Sequence, residues 1–174
     1  MMTIGDAKGP ILDRTVTETK PMVGLELGTY VGYSTIRIRQ HMPKGSMLIT
    51  LDVNEQFLDI AKQIGKFSGL MGKIDYWLGS LEKHVDRLVK EYGKIDFVFL
   101  DHWKDLYISD LKLLESKNLL KKGSCILADN VLYPGAPEFR EYVAFSPKYI
   151  TVEHGGENGY TRPKIADIVT VSIF

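Results

Sequence analysis

An acid, an imidazole and an amine, able between them to bind a cation, accept a hydrogen bond and take up a proton, stand close together at Asp101, His102 and Lys104. They follow an apolar run, Ile95 to Leu100, that has the character of a buried strand. A second run, Ser124-Cys-Ile-Leu-Ala128, ends in Asp129-Asn130, and an earlier one, Val23-Gly-Leu-Glu-Leu27, ends in Gly28-Thr-Tyr-Val-Gly32. In open α/β sheets ligands sit in the crevice outside the carboxyl ends of the strands, so three such tips describe one crevice. Taken singly, each tip could also be a strand-to-loop transition with solvated charges.

A further polar tip, Asp52, closes the run that starts at Met47. An acid there can accept both hydroxyls of a ribose, although it could instead cap the helix that follows. The loop Glu26-Leu-Gly-Thr-Tyr-Val-Gly32 lacks the G-x-G-x-x-G spacing that cradles a pyrophosphate, and there is no Walker A sequence. A glycine turn of this kind suits a ligand without phosphate.

The elements that must position these residues alternate. A helix is expected from Pro10 to about Thr19, after an irregular arm over residues 1–9, and Pro21 separates it from a strand at 23–28. Helices are expected at about 33–41, 54–67 with Asn54 as N-cap, 81–92, 107–116 and 134–145. Strands are expected at 47–53, 74–78, 95–100 and 124–128, the last after a turn at Lys121-Lys-Gly123. Two final strands, 149–153 and 166–174, flank a glycine-rich turn cluster at 155–159 and form a hairpin. Strand–helix alternation gives a parallel sheet with helices on both faces, and the hairpin adds an antiparallel strand. The expected fold is therefore α/β and Rossmann-like, with a mostly parallel seven-stranded sheet and a C-terminal antiparallel hairpin, a combination that resembles the methyltransferase fold.

A chain of 174 residues is long enough for one domain with a real core. Lys plus Arg equals Asp plus Glu at 22 each, which argues against a nucleic-acid partner. No apolar run is long enough to span a bilayer, and Met1-Met-Thr-Ile-Gly-Asp-Ala-Lys8 has no signal-peptide h-region. The single Cys125 lies in an apolar run and is expected to be a small core residue. A cytoplasmic monomer follows as the expectation.

Four strings, Glu26-Leu-Gly-Thr-Tyr-Val-Gly-Tyr-Ser34, Phe99-Leu-Asp-His-Trp-Lys-Asp105, Leu127-Ala-Asp-Asn-Val131 and Pro134-Gly-Ala-Pro137, closely resemble the catechol O-methyltransferase family. Met2-Thr-Ile-Gly-Asp-Ala-Lys-Gly9 also resembles the family's segment before its first core helix, so the match runs from Met2 to about Tyr149. The resemblance implies a Mg²⁺ site at Asp101, Asp129 and Asn130, with Lys104 as general base. It implies S-adenosylmethionine held by Glu26, Gly28, Tyr30, Ser34, Asp52, Val53, Ser80 and His102, with Trp103 against the adenine. Met2 and Ile4 would touch the cofactor near its methionine end. A small-molecule catechol would meet Asp101, Lys104, Asn130, Tyr133 and Pro134.

The chain departs from the family in four places. The family's N-terminal helices, which cover the cofactor, are not in this sequence, so one wall of the site is expected to be open. Leu81 and Glu82 replace a serine and a glutamine near the adenine. Tyr133 is bulkier than the usual small apolar residue. The family's late glutamate, which receives the second catechol hydroxyl, has Glu157 as its nearest candidate. Two alternatives stay open: a metal-dependent hydrolase using Asp101, His102, Asp129 and Asn130, and a family member that binds S-adenosylmethionine without efficient turnover.

Overall fold

The structure is a computed structural model that describes residues 3–70, 72–158, 161 and 163–174. Helix α1 spans Gly5–Thr19, β1 Val23–Leu27, α2 Tyr33–His41, β2 Met47–Asp52, α3 Glu55–Phe67 and β3 Ile74–Leu78. Then follow α4 Leu81–Glu91, β4 Ile95–Leu100, α5 Tyr107–Ser116, β5 Leu120–Ala128, α6 Pro137–Phe145, β6 Ile150–Glu157 and β7 Ala166–Ile173. The strands form one sheet in the order β3-β2-β1-β4-β5-β7-β6. The first five are parallel, while β7 runs antiparallel to β5 and β6 antiparallel to β7. This is the expected sheet, closed by the expected hairpin.

The period-two alternation of strand side chains feeds two cores. Val98 and Leu100 point to one face with Leu25, Leu27, Ile126 and Ala128, where α4, α5 and α6 cover them. Phe97 and Phe99 point to the other with Leu48, Cys125 and Leu127, under Leu12 and Val16 of α1 and Ile38 of α2. Strands buried on both faces explain why these runs are continuously apolar in the sequence.

Four local expectations change. Residues 5–9 are the first turns of α1 and not an irregular arm. Pro10 therefore lies inside the helix, where its missing N–H and ring normally cost about 3 kcal/mol. Burial of Ile4, Lys8, Gly9 and Leu12 against the body of the protein outweighs that local preference. Lys121-Lys-Gly123 belongs to β5, as an irregularity in its pairing with β4, and Gly123 has φ +91°. The segment Val131–Gly135 forms its own wide turn, so α6 starts at Pro137, later than expected. Finally, β6 runs on to Glu157 through Gly155 and Gly156, which pair with Ile168 and Asp167. The glycines taken for a turn are strand residues; a Cβ at Gly156 would lie 2.7 Å from Lys8 Cγ, so that position must stay bare for the lysine stem to pass.

Candidate functional site

The carboxyl ends of the parallel strands stay in register beyond the strands themselves. Gly28 N donates to Leu51 O at 2.9 Å, Asp101 N to Leu27 O at 2.9 Å, Asp129 N to Leu100 O at 3.0 Å and Gly79 N to Asp52 O at 2.8 Å. One row of tip residues is thereby held side by side across β3, β2, β1, β4 and β5. Gly28 is essential to it: its φ is +98°, and a Cβ there would sit 2.7 Å from the carbonyl oxygen of Asp101. β1 and β4 flank the point where the strand order reverses, and a cavity of about 760 Å³ opens there.

Twelve of the residues singled out in the sequence line that cavity: Gly28, Tyr30, Ser34, Asp52, Val53, Ser80, Asp101, His102, Trp103, Lys104, Asn130 and Pro134. Asp52 accepts the backbone N–H groups of Tyr30 at 2.8 Å and Asn54 at 2.9 Å. Capping of α3 itself falls to the Asn54 side chain, which accepts from Phe57 N. Ser80 sits at the N-cap of α4. Trp103 lies 72% exposed at the mouth. His102 pairs with Asp110 at 2.9 Å through Nε2 and stacks on Tyr107, while its Nδ1 is buried without a partner.

Other expected residues lie elsewhere. Glu26 is fully buried beneath the wall, where Thr35 and Thr50 hydroxyls donate to Oε2 and Oε1 has no partner. Burial, with a smaller contribution from the Asp101 charge, pushes its carboxyl up to about 7. Ile4 is a core residue, Tyr133 is not in the cavity wall, and Met2 lies outside the described residues. Glu157 does not line the cavity and pairs with Lys164 at 2.6 Å; its neighbour Asn158 takes the place in the wall.

The acidic side is more elaborate than the sequence suggested. Asp129 is 1% exposed, and its Oδ1 meets Lys8 Nζ at 2.5 Å and the Asn130 N–H at 2.7 Å. Lys8 also donates to Asp167 Oδ2 at 2.6 Å. Asp167 in turn accepts Asn130 Nδ2 at 2.8 Å and the backbone N–H groups of Leu132 and Tyr133, which fixes the turn after β5. Asn130 adopts the left-handed conformation, φ +57°, that Asn tolerates better than most residues. Lys104 Nζ is 3.0 Å from Asp101 Oδ1 and donates to Tyr107 Oη at 2.6 Å. The Tyr107 hydroxyl lies within reach of Leu100 O and Asp129 O, tying the β4 and β5 tips together.

Burial, then the charge of Asp101, raise the Asp129 carboxyl to about 7, outweighing the opposite pull of Lys8. Burial alone would lower the Lys8 ammonium, but Asp129 and Asp167 together hold it above its ordinary value. Asp167 goes the other way, held below the usual carboxylate range because Lys8 and backbone N–H groups outweigh its burial. Lys8 thus sits between Asp129 and Asp167, and Lys104 beside Asp101. Among the described residues no group of three or more His, Cys, Asp or Glu could hold a metal. The oxygen set offered by Asp101, Asp129 and Asn130 is two carboxylates and an amide, hard donors that suit a cation such as Mg²⁺ completed by water or substrate.

Lys8, Tyr107 and Asp167 were missed as site residues. Lys8 was visible only as one residue of a terminal segment. Asp167 carried a faint signal, a lone charge near the start of an otherwise uncharged strand. Tyr107 carried none.

The fold resembles that of the crystallised O-methyltransferase from Bacillus cereus in complex with SAH, with a TM-score of 0.87 at 21% identity, covering 99% of this chain and 82% of that one. A strand-tip crevice on such a sheet defines the class as an α/β protein with the methyltransferase architecture. Residues 1–152 match the O-methyltransferase family, and the chain belongs to that family. It is 45% identical to catechol O-methyltransferase B of Danio rerio over 92% of this chain, and 43% identical to catechol O-methyltransferase of Mus musculus over 85%. It spans 62% and 57% of the length of those two relatives.

Proposed function

We propose that the chain is a single-domain, Mg²⁺-dependent O-methyltransferase that moves a methyl group from S-adenosylmethionine to one hydroxyl of a catechol. The observation that carries this reading is the shared cavity: a glycine loop and Asp52 on one wall, Asp101, Lys104 and Asn130 on the other. The catechol O-methyltransferase relatives support the choice of substrate.

Asp52 would take the ribose hydroxyls, Trp103 would cover the adenine, and Gly28, Tyr30, Ser34, Val53, Ser80 and His102 would complete the cofactor wall. Glu26, with one buried oxygen lacking a partner, lies directly below. Asp101, Asp129 and Asn130 would hold Mg²⁺, which when bound would act as Lewis acid and template for two adjacent phenolic oxygens. A phenol with a pKa of about 10 needs that help near neutral pH. Lys104, once it has released its own proton to solvent, would accept the phenol proton at Nζ, at a position set by Asp101 and the Tyr107 hydroxyl. Pro134 would line the catechol side. The remaining contribution is alignment, the walls holding oxygen, methyl and sulfur in line.

The partner is a small molecule, since the charge balance gives no basis for nucleic-acid binding and no described helix is long and apolar enough to cross a membrane. A monomer in the cytoplasm is the accompanying reading, consistent with a buried free thiol at Cys125.

The test is product analysis with S-adenosylmethionine and a catechol panel, with chelator and with Mg²⁺ restored. Monomethylated product should appear only with the cofactor, vanish with chelator and return with Mg²⁺. Transfer that survives chelation removes the cation from the mechanism. Cofactor binding without turnover on any catechol favours the second reading, a non-catalytic family member, for which the outward pairing of Glu157 with Lys164 is the supporting observation.

A further inference from the structure

We propose that Lys8 determines which divalent cation the β4–β5 tip accepts, by occupying one oxygen of Asp129 and confining that carboxylate to a single donor atom. The proposal rests on the cation site assigned above to Asp101, Asp129 and Asn130.

Each of the three residues has one donor already committed. Asp129 Oδ1 meets both Lys8 Nζ, at 2.5 Å, and the Asn130 N–H, at 2.7 Å, which leaves Oδ2. Asp101 Oδ1 holds Lys104 Nζ at 3.0 Å, which leaves its own Oδ2. Asn130 spends its Nδ2 on Asp167, which turns the amide so that its oxygen is the remaining donor. Three single oxygens suit Mg²⁺, which keeps an octahedral shell and retains several waters. Ca²⁺ takes six to eight oxygens and binds carboxylates through one oxygen or two; this arrangement denies it the two-oxygen mode.

Lys8 is built into place for this. It is 1% exposed, its ammonium is clamped between Asp129 and Asp167, and its stem passes over Gly156, where a Cβ would collide with it. Lys8 is thus a positioning residue, acting through Asp129. A purely structural staple between α1 and β7 would show the same clamp, so cation selectivity, not stability, separates the two roles.

The experiment uses the full chain without cofactor and titrates Mg²⁺ and Ca²⁺ by calorimetry. Lys8→Met combined with Asp167→Asn removes the lysine without stranding a second buried carboxylate. The ratio of Ca²⁺ to Mg²⁺ affinity should rise about tenfold in this double variant and stay near the starting value in Lys8→Arg. An unchanged ratio in a folded double variant that binds both ions makes Lys8 a staple and overturns the proposal. If the unsubstituted chain binds neither ion, the cation site itself falls and the proposal with it. A measurement on the unsubstituted chain needs no variant to fold. Infrared difference spectra with ¹³C-carboxylate Asp should show monodentate carboxylate bands on adding Mg²⁺, and bidentate bands would equally overturn it.

Discussion

The wall built on β1 and β2 and the wall built on β4 and β5 face one crevice, yet they hold their polar groups in different ways. On the first, Asp52 takes backbone N–H groups from Tyr30 and Asn54, and the Glu26 carboxylate is served by hydroxyls of Thr35 and Thr50. Among the described residues no lysine or arginine takes part. On the second, Asp101 and Lys104 line the crevice, and buried behind them Asp129 and Asp167 are interlocked with Lys8 and Tyr107. On the function proposed above, the difference fits what each wall would do. A surface that receives hydroxyls and an adenine needs acceptors set in backbone. A surface that is to receive a cation needs concentrated negative charge, and buried charge persists only when paired and hydrogen-bonded.

The largest expected effect breaks the contrast on the charged wall. Asp129→Asn should lower turnover about 100-fold or more while cofactor affinity stays near its starting value, because the two walls use separate groups. Steady-state kinetics beside calorimetry checks it, and full methyl transfer in the variant would remove the cation assignment.

The matching change on the neutral wall is Asp52→Ala. Cofactor affinity should fall roughly 10- to 100-fold, since a hydrogen bond to a charged group contributes about 1.5–3 kcal/mol. Asp52→Glu should recover part of the loss. Calorimetric affinity unaffected by Asp52→Ala would show that the carboxylate serves only Tyr30 and Asn54.

A smaller effect sharpens the comparison through the lysine stem. Gly156→Ala should cost roughly 1–3 kcal/mol by pressing on Lys8 Cγ, as overpacking of a filled site does. Gly155→Ala, with nothing within 4 Å of the added Cβ, is the control and should be near neutral. Denaturant midpoints that shift alike for both substitutions would mean that Lys8 is not tightly held.

The last is a pH slope. Glu26 has a folded carboxyl raised to about 7 from an ordinary 4.5, so the folded state binds the extra proton between those values. Its contribution to stability is therefore lost as pH rises from about 4.5 to 7, with a slope of at most about 1.4 kcal/mol per pH unit. Glu26→Gln should flatten unfolding free energy over that window, and an unaltered slope would place the effect on other groups.

Much of this was legible without coordinates. The runs at 23–27, 95–100 and 124–128 were recognisable because strands buried on both faces are apolar throughout, and each ended where its polar tip indicated. The neighbouring tips of β4 and β5 followed from strand–helix alternation, and the closing hairpin from the lack of a long helix between the last two strands. Periodicity was less informative about faces. Phe57, Ile60, Ala61, Ile64 and Phe67 stand at helical spacing on α3, but of these Ala61 alone is buried; Leu58 and Gly65 complete the buried side, and Phe67 is 95% exposed.

What the sequence determined by itself is what short-range patterning encodes: the strands, most helices, and tip residues that follow their strands directly, such as Gly28, Asp52, Asp101 and Asp129. Only the tertiary structure decided who partners the buried charges. Lys8 and Asp167 stand 159 residues apart and meet because α1 and β7 converge on the β5 tip. Such a pair has no local signature, since a lysine on a helix and an acid near the start of a strand are each ordinary in isolation. The same holds for Gly156, which looked like a turn and is a strand residue left bare for a lysine stem, and for Glu157, whose neighbour Asn158 lines the cavity instead. Burial creates the demand for these partners, and burial is a property of the assembled sheet and not of any segment of the chain.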